Sequence, residues 1–176
     1  MTSEAPEAAV KIVPYDARWP GKFEEERALL LGSIQEWIVG GIEHVGSTAV
    51  EGLAAKPVLD IMAGVRSLEA SRPALGPLAG IGYLYASYRA DVMHWLCKPS
   101  PSFRTHHLHL VPFGSPLWKE RLAFRNYLRT HTDAALEYAD LKRRLAGQFP
   151  LDREAYTEAK GPFVRRIVAL ALGNGK

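Results

Sequence analysis

Three side chains that can bind a metal ion or transfer a proton lie in two apolar segments of the sequence. Asp60 interrupts an apolar run over 58–65, and His107 and His109 alternate with leucines in the segment HHLHLVP. An acid is rarely buried in a strand unless it is paired or binds a ligand. Two histidines at i and i+2 of a strand point to the same face, with Cα atoms about 7 Å apart. One carboxylate and two imidazoles form a ligand set typical of zinc, manganese or iron. We therefore predict a site for a divalent metal or for acid–base catalysis.

Each of these residues also has a structural interpretation. Asp60 can accept backbone hydrogen bonds from the loop before it, and two histidines on one strand can be satisfied surface residues. His44 ends an earlier apolar run, and it could either complete the cluster or cap its own strand.

A turn that could hold phosphate precedes Asp60 in the sequence. Gly46, Ser47 and Thr48 lie between the two apolar runs. A glycine lets the backbone approach a ligand, and the backbone N–H groups and hydroxyls that follow can donate to phosphate oxygens. The alternative is an ordinary helix cap. Lys56 is a further phosphate ligand candidate, because Pro57 fixes it beside the strand that carries Asp60.

The second half of the chain repeats one spacing of a phenol and an amine. Tyr138 and Lys142 are four residues apart, as are Tyr156 and Lys160, so each pair shares a helix face. Together with Arg125, these side chains could point toward a phosphate-bearing ligand. Solvated lysines and half-buried tyrosines are the structural alternative.

The elements that must position these residues follow from the apolar patterning. We predict a short edge strand over 10–13, strands over 42–45, 58–65, 83–87, 92–98 and 106–112, and a hairpin between the strands over 83–87 and 92–98. Helices are predicted over 18–39, 49–53, 68–79, 117–130, 133–148 and 152–172, with Gly40 and Gly41 ending the first and with Asp133 and Asp152 as caps. The pattern predicts an α/β core over about 10–116 and a helical tail over about 117–172.

The composition is that of one folded domain and is compatible with a reducing compartment. Apolar residues make up 47% and charged residues 23% of the 176 residues, which is ordinary for a globular protein. The single cysteine, Cys97, excludes a disulfide framework and a cysteine-based zinc site. The N-terminal residues lack the features of a signal peptide, and no apolar run approaches the ~20 residues of a membrane span. We predict a cytoplasmic protein with a disordered leader over 1–9 and a single domain over 10–176.

The charge is unevenly distributed along the chain. Ten basic and twelve acidic residues precede Leu117, whereas twelve basic and seven acidic residues lie from Leu117 onward. A modestly basic helical segment suits an anionic small molecule. It is too weakly basic to indicate nucleic-acid binding by itself.

These segments together resemble the GrpB family, whose members look like proteins of the nucleotidyltransferase superfamily. The resemblance rests on Asp60 and on HVGSTAV over 44–50, GLAAKP over 52–57, HLH over 107–109, FRNYLR over 124–129, EYADLK over 137–142 and the segment 156–160. Similar segments form a C-terminal extension of some bacterial dephospho-coenzyme A kinases. The resemblance implies a nucleotidyltransferase-like mixed β-sheet flanked by helices. It also implies that Gly46 and Ser47 form the phosphate-binding turn and that Asp60 is the first metal-binding acid.

The sequence departs from an active transferase at one position that matters for chemistry. Two-metal nucleotidyl transfer uses a second acid two residues after the first, where this chain has Met62. A thioether is a poor ligand for Mg²⁺. Two alternatives follow: Asp91 supplies a second acid, or His107 and His109 replace it and favour a softer metal. Glu51 stands where relatives usually carry proline, either as a surface change or as an extra acid near the ligand.

Three functions follow as hypotheses. The first is a nucleotidyltransferase-like enzyme that acts on a nucleotide or another phosphate-containing small molecule with a divalent metal (Mg²⁺, Mn²⁺ or Zn²⁺). In that hypothesis Asp60, His107 and His109 hold the metal and carry the catalysis. The phosphate ligands would then be Gly46, Ser47, Thr48, Lys56, Arg125, Tyr138, Lys142 and Lys160. The alternatives are a non-catalytic module that binds a nucleotide or a coenzyme A precursor, and a metal-dependent phosphoester hydrolase.

Overall fold

The apolar strand that carries Asp60 lies inside a five-stranded mixed sheet. The computed structural model describes residues 8–173. The strands are β1 Ile38–Val45, β2 Leu59–Val65, β3 Leu84–Ala86, β4 His94–Pro99 and β5 Arg104–Pro112. They are ordered β1-β2-β5-β4-β3, and β2 and β5 are the parallel pair. Because β2 is an inner strand with helices on both faces, its side chains are apolar except for Asp60.

Helices cover both faces of this sheet. They are α1 Trp19–Ile34, α2 Leu68–Ser71, α3 Leu75–Gly80, α4 Pro116–Thr130, α5 Thr132–Gln148, α6 Arg153–Ala159 and α7 Gly161–Ala171. Phe23 and Leu30 of α1 pack with Leu78 of α3 on one face of the sheet. Leu117 and Trp118 of α4 pack on the other face. The prediction of a mixed sheet flanked by helices is confirmed.

A second layer of helices is packed behind α4. Phe124 of α4, Tyr138 of α5 and Phe163 of α7 form one apolar cluster, in which the rings of Tyr138 and Phe163 stack at 4.8 Å. Val50 and Leu53, from the loop between β1 and β2, join this cluster. The helical tail is therefore fixed against the loop that precedes Asp60.

Strand register decides which side chains share a face. Asp60 pairs with His107, and Met62 pairs with His109. Since side chains alternate along a strand, these four residues point to the α4 face, while Leu59 and Ile61 point to the α1 face.

The first predicted helix was too long at its C-terminal end. Helix α1 ends at Ile34, and Gly40 and Gly41 lie within β1 rather than ending the helix. A Cβ on Gly40 would lie 2.0 Å from the Phe113 ring, and Gly41 has φ +83°. The pairing register with β2 shifts between Ile38 and Ile42 at the same place. The two glycines therefore allow the edge strand to be irregular and allow an aromatic ring to pack closely against it.

Other boundaries differ for local reasons. The strand predicted over 10–13 is a single bridge between Val13 and Ala55. The helix predicted over 152–172 breaks at Lys160. Pro162 lies in the first turn of a new helix, α7, and proline cannot donate the backbone hydrogen bond that would continue α6. Asp152 caps α6 as predicted, but His131, not Asp133, is the cap residue of α5.

The predicted leader falls mainly outside the described residues. Residues 1–7 are not described, and the backbone N–H of Ala8 donates to the carbonyl of Ser102 at 3.1 Å. Within residues 8–173, no helix combines the length and the apolar character that crossing a bilayer requires.

Candidate metal and phosphate site

Asp60, His107 and His109 converge at the centre of the sheet. The Asp60 Oδ1 atom lies 3.0 Å from His107 Nδ1 and 3.5 Å from His109 Nε2. One ligand atom from each residue can be chosen so that all three lie within 4.8 Å of one another. The convergence results from topology, because two parallel neighbours in register bring Asp60 of β2 beside alternate residues of β5.

The charge states of this cluster follow from burial and mutual contact. Burial acts to raise the pKa of the Asp60 carboxyl, but hydrogen bonds and charge from His107 and His109 outweigh it and hold that pKa well below its usual value. Burial and the nearby Arg121 charge lower the pKa of His109 to about 4. At neutral pH, Asp60 is therefore a carboxylate and His109 is a neutral imidazole, which are the forms that bind metals.

Two imidazole nitrogens in the cluster lack hydrogen-bond partners. His107 Nδ1 lies 3.0 Å from Asp60 Oδ1, and His109 Nδ1 lies 3.4 Å from Met93 Sδ. The Nε2 atoms of both rings are buried without a hydrogen-bond partner, and that of His109 lies 3.5 Å from Asp60 Oδ1. Buried polar atoms are rarely left without a partner, and a bound cation would give these nitrogens one. The residues present therefore fit a divalent metal with nitrogen and oxygen ligands.

The turn over Gly46 is in direct contact with the carboxylate. Gly46 has φ +71°, and a Cβ at this position would lie 2.6 Å from Asp60 Oδ2. Only glycine therefore permits this approach. Ser47 opens the three-residue 3₁₀ helix Ser47–Ala49, and its side chain is hydrogen-bonded to Tyr138. Gly46, Ser47 and Tyr138 thus form one wall beside Asp60.

Three lysines predicted to bind phosphate form a second wall. Lys142 is 2% exposed, donates to the carbonyl of Ala54 and lies 4.6 Å from the centre of the Tyr138 ring. The amines of Lys160 and Lys56 lie 4.5 and 5.2 Å from the centre of the Tyr156 ring. In each predicted i,i+4 pair, the lysine amine therefore lies over the ring of the tyrosine four residues earlier. One pair is in α5 and the other is at the end of α6.

The electrostatics of the lysine wall favour a bound anion. Burial, with the neighbouring charge of Lys160, lowers the pKa of Lys142 to about 7. Burial, with the charge of Lys56, lowers the pKa of Lys160 to about 8. Asp60 opposes both shifts, which places its carboxylate within electrostatic reach of both amines. An anion bound among these amines would offset their mutual repulsion and their burial.

Thr48 and Arg125 are engaged elsewhere, against our expectation. Thr48 Oγ1 lies 2.8 Å from His44 Nε2, and Arg125 binds the Glu43 carboxylate at 2.7 Å and the carbonyl of His44 at 2.9 Å. These residues line a 370 Å³ cavity at the edge of β1. Since His44 alternates with Val45 and stacks on Phe23, it faces α1 and does not join the cluster.

No second acid joins Asp60 among the described residues. Met62 lies on the same face and is fully buried, and Asp91 and Glu51 are exposed. Within residues 8–173, Asp60, His107 and His109 form the one group of three or more potential ligands. The hypothesis that imidazoles replace the missing acid is the one that this arrangement supports.

Sequence reasoning missed Arg121. This residue of α4 carries a guanidinium whose Nε is buried without a hydrogen-bond partner, and its charge acts on both His109 and Asp60. Arg121 precedes Arg125 by one helical turn, so the same helix face offered two arginines. The expectation favoured Arg125, which instead pairs with Glu43. Arg121, whose buried Nε has no hydrogen-bond partner, is therefore a further ligand candidate for an anion.

Comparison with known proteins gives close relatives of unspecified activity. The family model described as GrpB protein matches residues 9–169. A UPF0157 protein of Pseudomonas aeruginosa is 38% identical over 175 residues, which is 97% of this chain and 71% of that protein. The crystal structure of a conserved GrpB protein from Enterococcus faecalis superposes with a TM-score of 0.84 at 34% identity, covering 93% of this chain and 98% of that one.

Some relatives are considerably longer than this chain. The chain spans 46% of the length of a UPF0157 protein of Bacillus subtilis that is 33% identical over 91% of this chain. It also spans 46% of a dephospho-CoA kinase of Mycolicibacterium paratuberculosis that is 27% identical over 93% of this chain.

More distant structures share the fold alone. The GLD-2/RNP-8 complex superposes with a TM-score of 0.59 at 13% identity, covering 90% of this chain and 60% of that one. The Cid1 poly(U) polymerase with bound Mg and 3'-dATP superposes with a TM-score of 0.53 at 14% identity, covering 77% of this chain and 43% of that one. The fold is nucleotidyltransferase-like, as predicted.

Proposed function

The chain belongs to the GrpB family, and from this premise we propose that it is a metal-dependent enzyme that transfers a nucleotidyl group to or from a phosphate-bearing small molecule. The single observation that carries the proposal is that the Asp60, His107 and His109 cluster lies against the Gly46 turn and within electrostatic reach of the lysine wall. A cation site next to an anion site is what a metal–nucleotide complex requires.

The residues of the cluster have separable roles in this proposal. Asp60, His107 and His109 hold a divalent cation, which supplies Lewis-acid neutralisation of phosphate oxygens when bound. The presence of two imidazoles favours manganese or zinc over magnesium, which prefers oxygen ligands. The Asp60 carboxylate also keeps His107 oriented through the Nδ1 hydrogen bond of 3.0 Å.

The basic residues have their largest effect where negative charge accumulates. In nucleotidyl transfer, an acceptor hydroxyl loses its proton to solvent as its oxygen bonds to the α-phosphorus. The bond from that phosphorus to the bridging oxygen breaks, and pyrophosphate leaves with the electron pair. Lys142, Lys160 and Lys56 would stabilise the charge that develops on the leaving phosphates, and Arg121 would act from the α4 side. Gly46 lets these phosphates approach the backbone, and Ser47 offers a hydroxyl donor.

The proposal is tested by metal and nucleotide binding to wild-type protein and to Asp60→Asn. This substitution keeps the side-chain shape but removes the charge that binds the cation. We expect Mn²⁺ affinity, measured by equilibrium dialysis, to fall at least ten-fold. We also expect nucleoside triphosphate turnover, measured by pyrophosphate release and product mass, to be lost.

Asp133→Asn is the matched control for this experiment. It makes the same chemical change at an exposed residue in the first turn of α5, where the carboxylate caps nothing. We expect it to retain metal affinity and turnover. Unchanged Mn²⁺ binding in Asp60→Asn would contradict the proposal.

A second candidate function is a module that binds a nucleotide or a coenzyme A precursor without turnover. The observation that favours it is Met62, which is fully buried where a transferase would carry its second acid. This candidate predicts nucleotide binding by calorimetry that does not depend on the metal, with no product. A third outcome, release of inorganic phosphate with Mn²⁺ or Zn²⁺, would favour a phosphoester hydrolase.

A further inference from the structure

An exposed tyrosine is separated from the metal cluster by a single aromatic ring. Tyr88 lies on the turn between β3 and β4 and is 50% exposed. Its ring centre is 6.2 Å from that of Trp95, whose ring centre is 5.2 Å from that of His107. Tyr88 also acts electrostatically on Arg121, so its phenol lies near this guanidinium of α4. A large aromatic side chain is therefore held, half in solvent, beside a candidate metal ligand.

Sheet order places the groups of the site in one row. The Gly46 turn follows β1, Asp60 is on β2, His107 is on β5, Trp95 is on β4 and Tyr88 leads into β4. Neighbouring strands are about 4.8 Å apart, so this row crosses the α4 face step by step. Tyr88 is consequently on the side of the cluster away from the Gly46 turn.

Trp95 has no ring face open to a ligand, whereas Tyr88 has. Trp95 is 9% exposed, with the Arg104 guanidinium 5.1 Å above its ring and His107 beside it. Tyr88 meets Trp95 edge to face, with 72° between the ring planes. That contact leaves the exposed surface of the Tyr88 ring available for stacking.

The turn that presents Tyr88 is conformationally unusual. Arg89 has φ +47°, and it is the one non-glycine residue within 8–173 with a positive φ. Its carbonyl accepts hydrogen bonds from the backbone N–H groups of Val92 and Met93 at 3.0 and 3.1 Å. A non-glycine residue in this region carries a conformational cost, which the hydrogen bonds of the turn offset. The turn that follows Tyr88 is thereby held to the residues that lead into β4.

We propose that Tyr88 stacks against the nucleobase of the bound nucleotide and so makes the site select nucleotides over simple polyphosphates. This inference rests on the proposed function, because it assumes that phosphates lie between the metal cluster and the lysine wall. The ring of Tyr88 is roughly 11 Å at most from that of His107, since the two intervening ring distances are 6.2 and 5.2 Å. A nucleoside with its phosphate at the cluster can therefore reach Tyr88 with its base.

The test compares nucleotides with inorganic tripolyphosphate. Calorimetry in the presence of Mn²⁺ is run with ATP, GTP, CTP, UTP and tripolyphosphate on wild-type protein, Tyr88→Ala and Tyr88→Phe. Loss of one base–aromatic stack weakens binding by about five-fold or more. We expect Tyr88→Ala to lose that much affinity for the preferred nucleotide and none for tripolyphosphate. Tyr88→Phe, which keeps the ring, should restore nucleotide binding.

Tyr85→Ala is the matched control. Tyr85 is a second exposed tyrosine, at 41%, three residues earlier, but its ring packs on His94. It pairs with Leu96 and therefore faces α1, away from the cluster. We expect Tyr85→Ala to leave the affinities for the nucleotide and for tripolyphosphate unchanged.

Each outcome separates the two proposals. If tripolyphosphate binds and Tyr88→Ala leaves nucleotide affinity within two-fold of wild type, the stacking inference is wrong and the proposed function stands. An equal loss of tripolyphosphate and nucleotide binding in Tyr88→Ala also overturns it. If wild-type protein binds neither, the proposed function fails and the inference fails with it.

Discussion

Gly46 and Asp60 are in contact across the ends of β1 and β2, and this contact gives the site its shape. Val45 pairs with Asp60, so the residue after Val45 must pass the carboxylate. A side chain at position 46 would meet Asp60 Oδ2 at 2.6 Å. The glycine is required both for its φ of +71° and for this approach.

Gly46→Ala should therefore damage the site as well as the backbone. With φ +71° and ψ −171°, Gly46 lies in a backbone region that is essentially restricted to glycine, where another residue costs about 1–3 kcal/mol. We expect Gly46→Ala to lose more stability than this in urea unfolding, because Asp60 must also move. Mn²⁺ affinity should fall at least ten-fold.

Gly52→Ala separates the two effects. Gly52 has φ +77°, but a Cβ there would meet no atom within 4 Å. It should show the backbone cost alone and keep full Mn²⁺ affinity. Equal metal affinity in the two variants would show that the Gly46 contact does not shape the site.

Lys142 makes the stability of the protein depend on pH. Its pKa is lowered from 10.5 to about 7, mainly by burial. Between these values the unfolded chain binds more protons than the folded one, so this contribution to stability rises with pH. Lys142→Met removes it. We expect the variant to be more stable than wild type at pH 7, and the difference to shrink as pH rises toward 10.5.

Urea unfolding from pH 6 to 10 measures this dependence. Lys119→Met is the matched control, because it removes an exposed lysine of α4. Its effect should not vary with pH over this range. A Lys142→Met effect that is equally constant would show that the amine is not desolvated in the folded protein. The same variant should also weaken tripolyphosphate binding, which Lys119→Met should not.

Side-chain chemistry in the sequence led to part of the candidate site. Asp60, His107 and His109 could be grouped, because strand alternation fixes which histidines face one way. Arg121 could not be chosen over Arg125, since both occupy one face of α4 and only the packing decides which meets Glu43. Thr48 was misplaced because the turn directs its hydroxyl to His44.

At the scale of elements, α6 holds the second tyrosine–lysine pair in place. Asp152 accepts a hydrogen bond from the backbone N–H of Ala155 at 2.9 Å, which fixes the start of this seven-residue helix. Tyr156 is fully buried one turn later, and Lys160 follows the helix. A short helix depends strongly on its cap, because few internal hydrogen bonds hold it.

Asp152→Ala should therefore lower both stability and anion binding. Loss of an N-cap costs about 0.5–2 kcal/mol. We expect a stability loss in this range and weaker tripolyphosphate binding, because the end of α6 frays and Lys160 moves.

Asp133→Ala is the comparison for this cap. Asp133 lies in the first turn of α5 without capping it, so only a small charge–dipole effect is lost. A stability loss in Asp133→Ala as large as that in Asp152→Ala would contradict the assignment of the caps.

The elements were predictable where a local signal and the tertiary structure agree. The inner strands β2, β4 and β5 were predicted because their apolar runs are short and bounded by turns. The predicted β1 was too short, because its two glycines resemble the end of a helix. The packing of Phe113 against Gly40 is not visible in the sequence. The break between α6 and α7 was signalled by Gly161 and Pro162, but the apolar pattern on both sides masked it.

At the scale of the whole molecule, the α4 face of the sheet contains a row of complementary groups. Lysines lie near the end of β1, the carboxylate and imidazoles lie at the centre, and Tyr88 lies beyond β4. The helical tail contributes part of its excess positive charge to this face through Lys142 and Lys160. The sheet contributes the negative charge of Asp60. The fold that brings these groups together is nucleotidyltransferase-like.

The central claim is that one cation and one polyphosphate bind side by side on this face, and crystals grown with Mn²⁺ and a nucleoside triphosphate test it most directly. The anomalous signal of manganese locates the ion without prior assumptions. We expect a manganese peak between the carboxylate of Asp60 and the imidazoles of His107 and His109, with phosphates toward Lys142 and Lys160. A manganese ion bound elsewhere, with the nucleotide away from the Gly46 turn, would contradict the account.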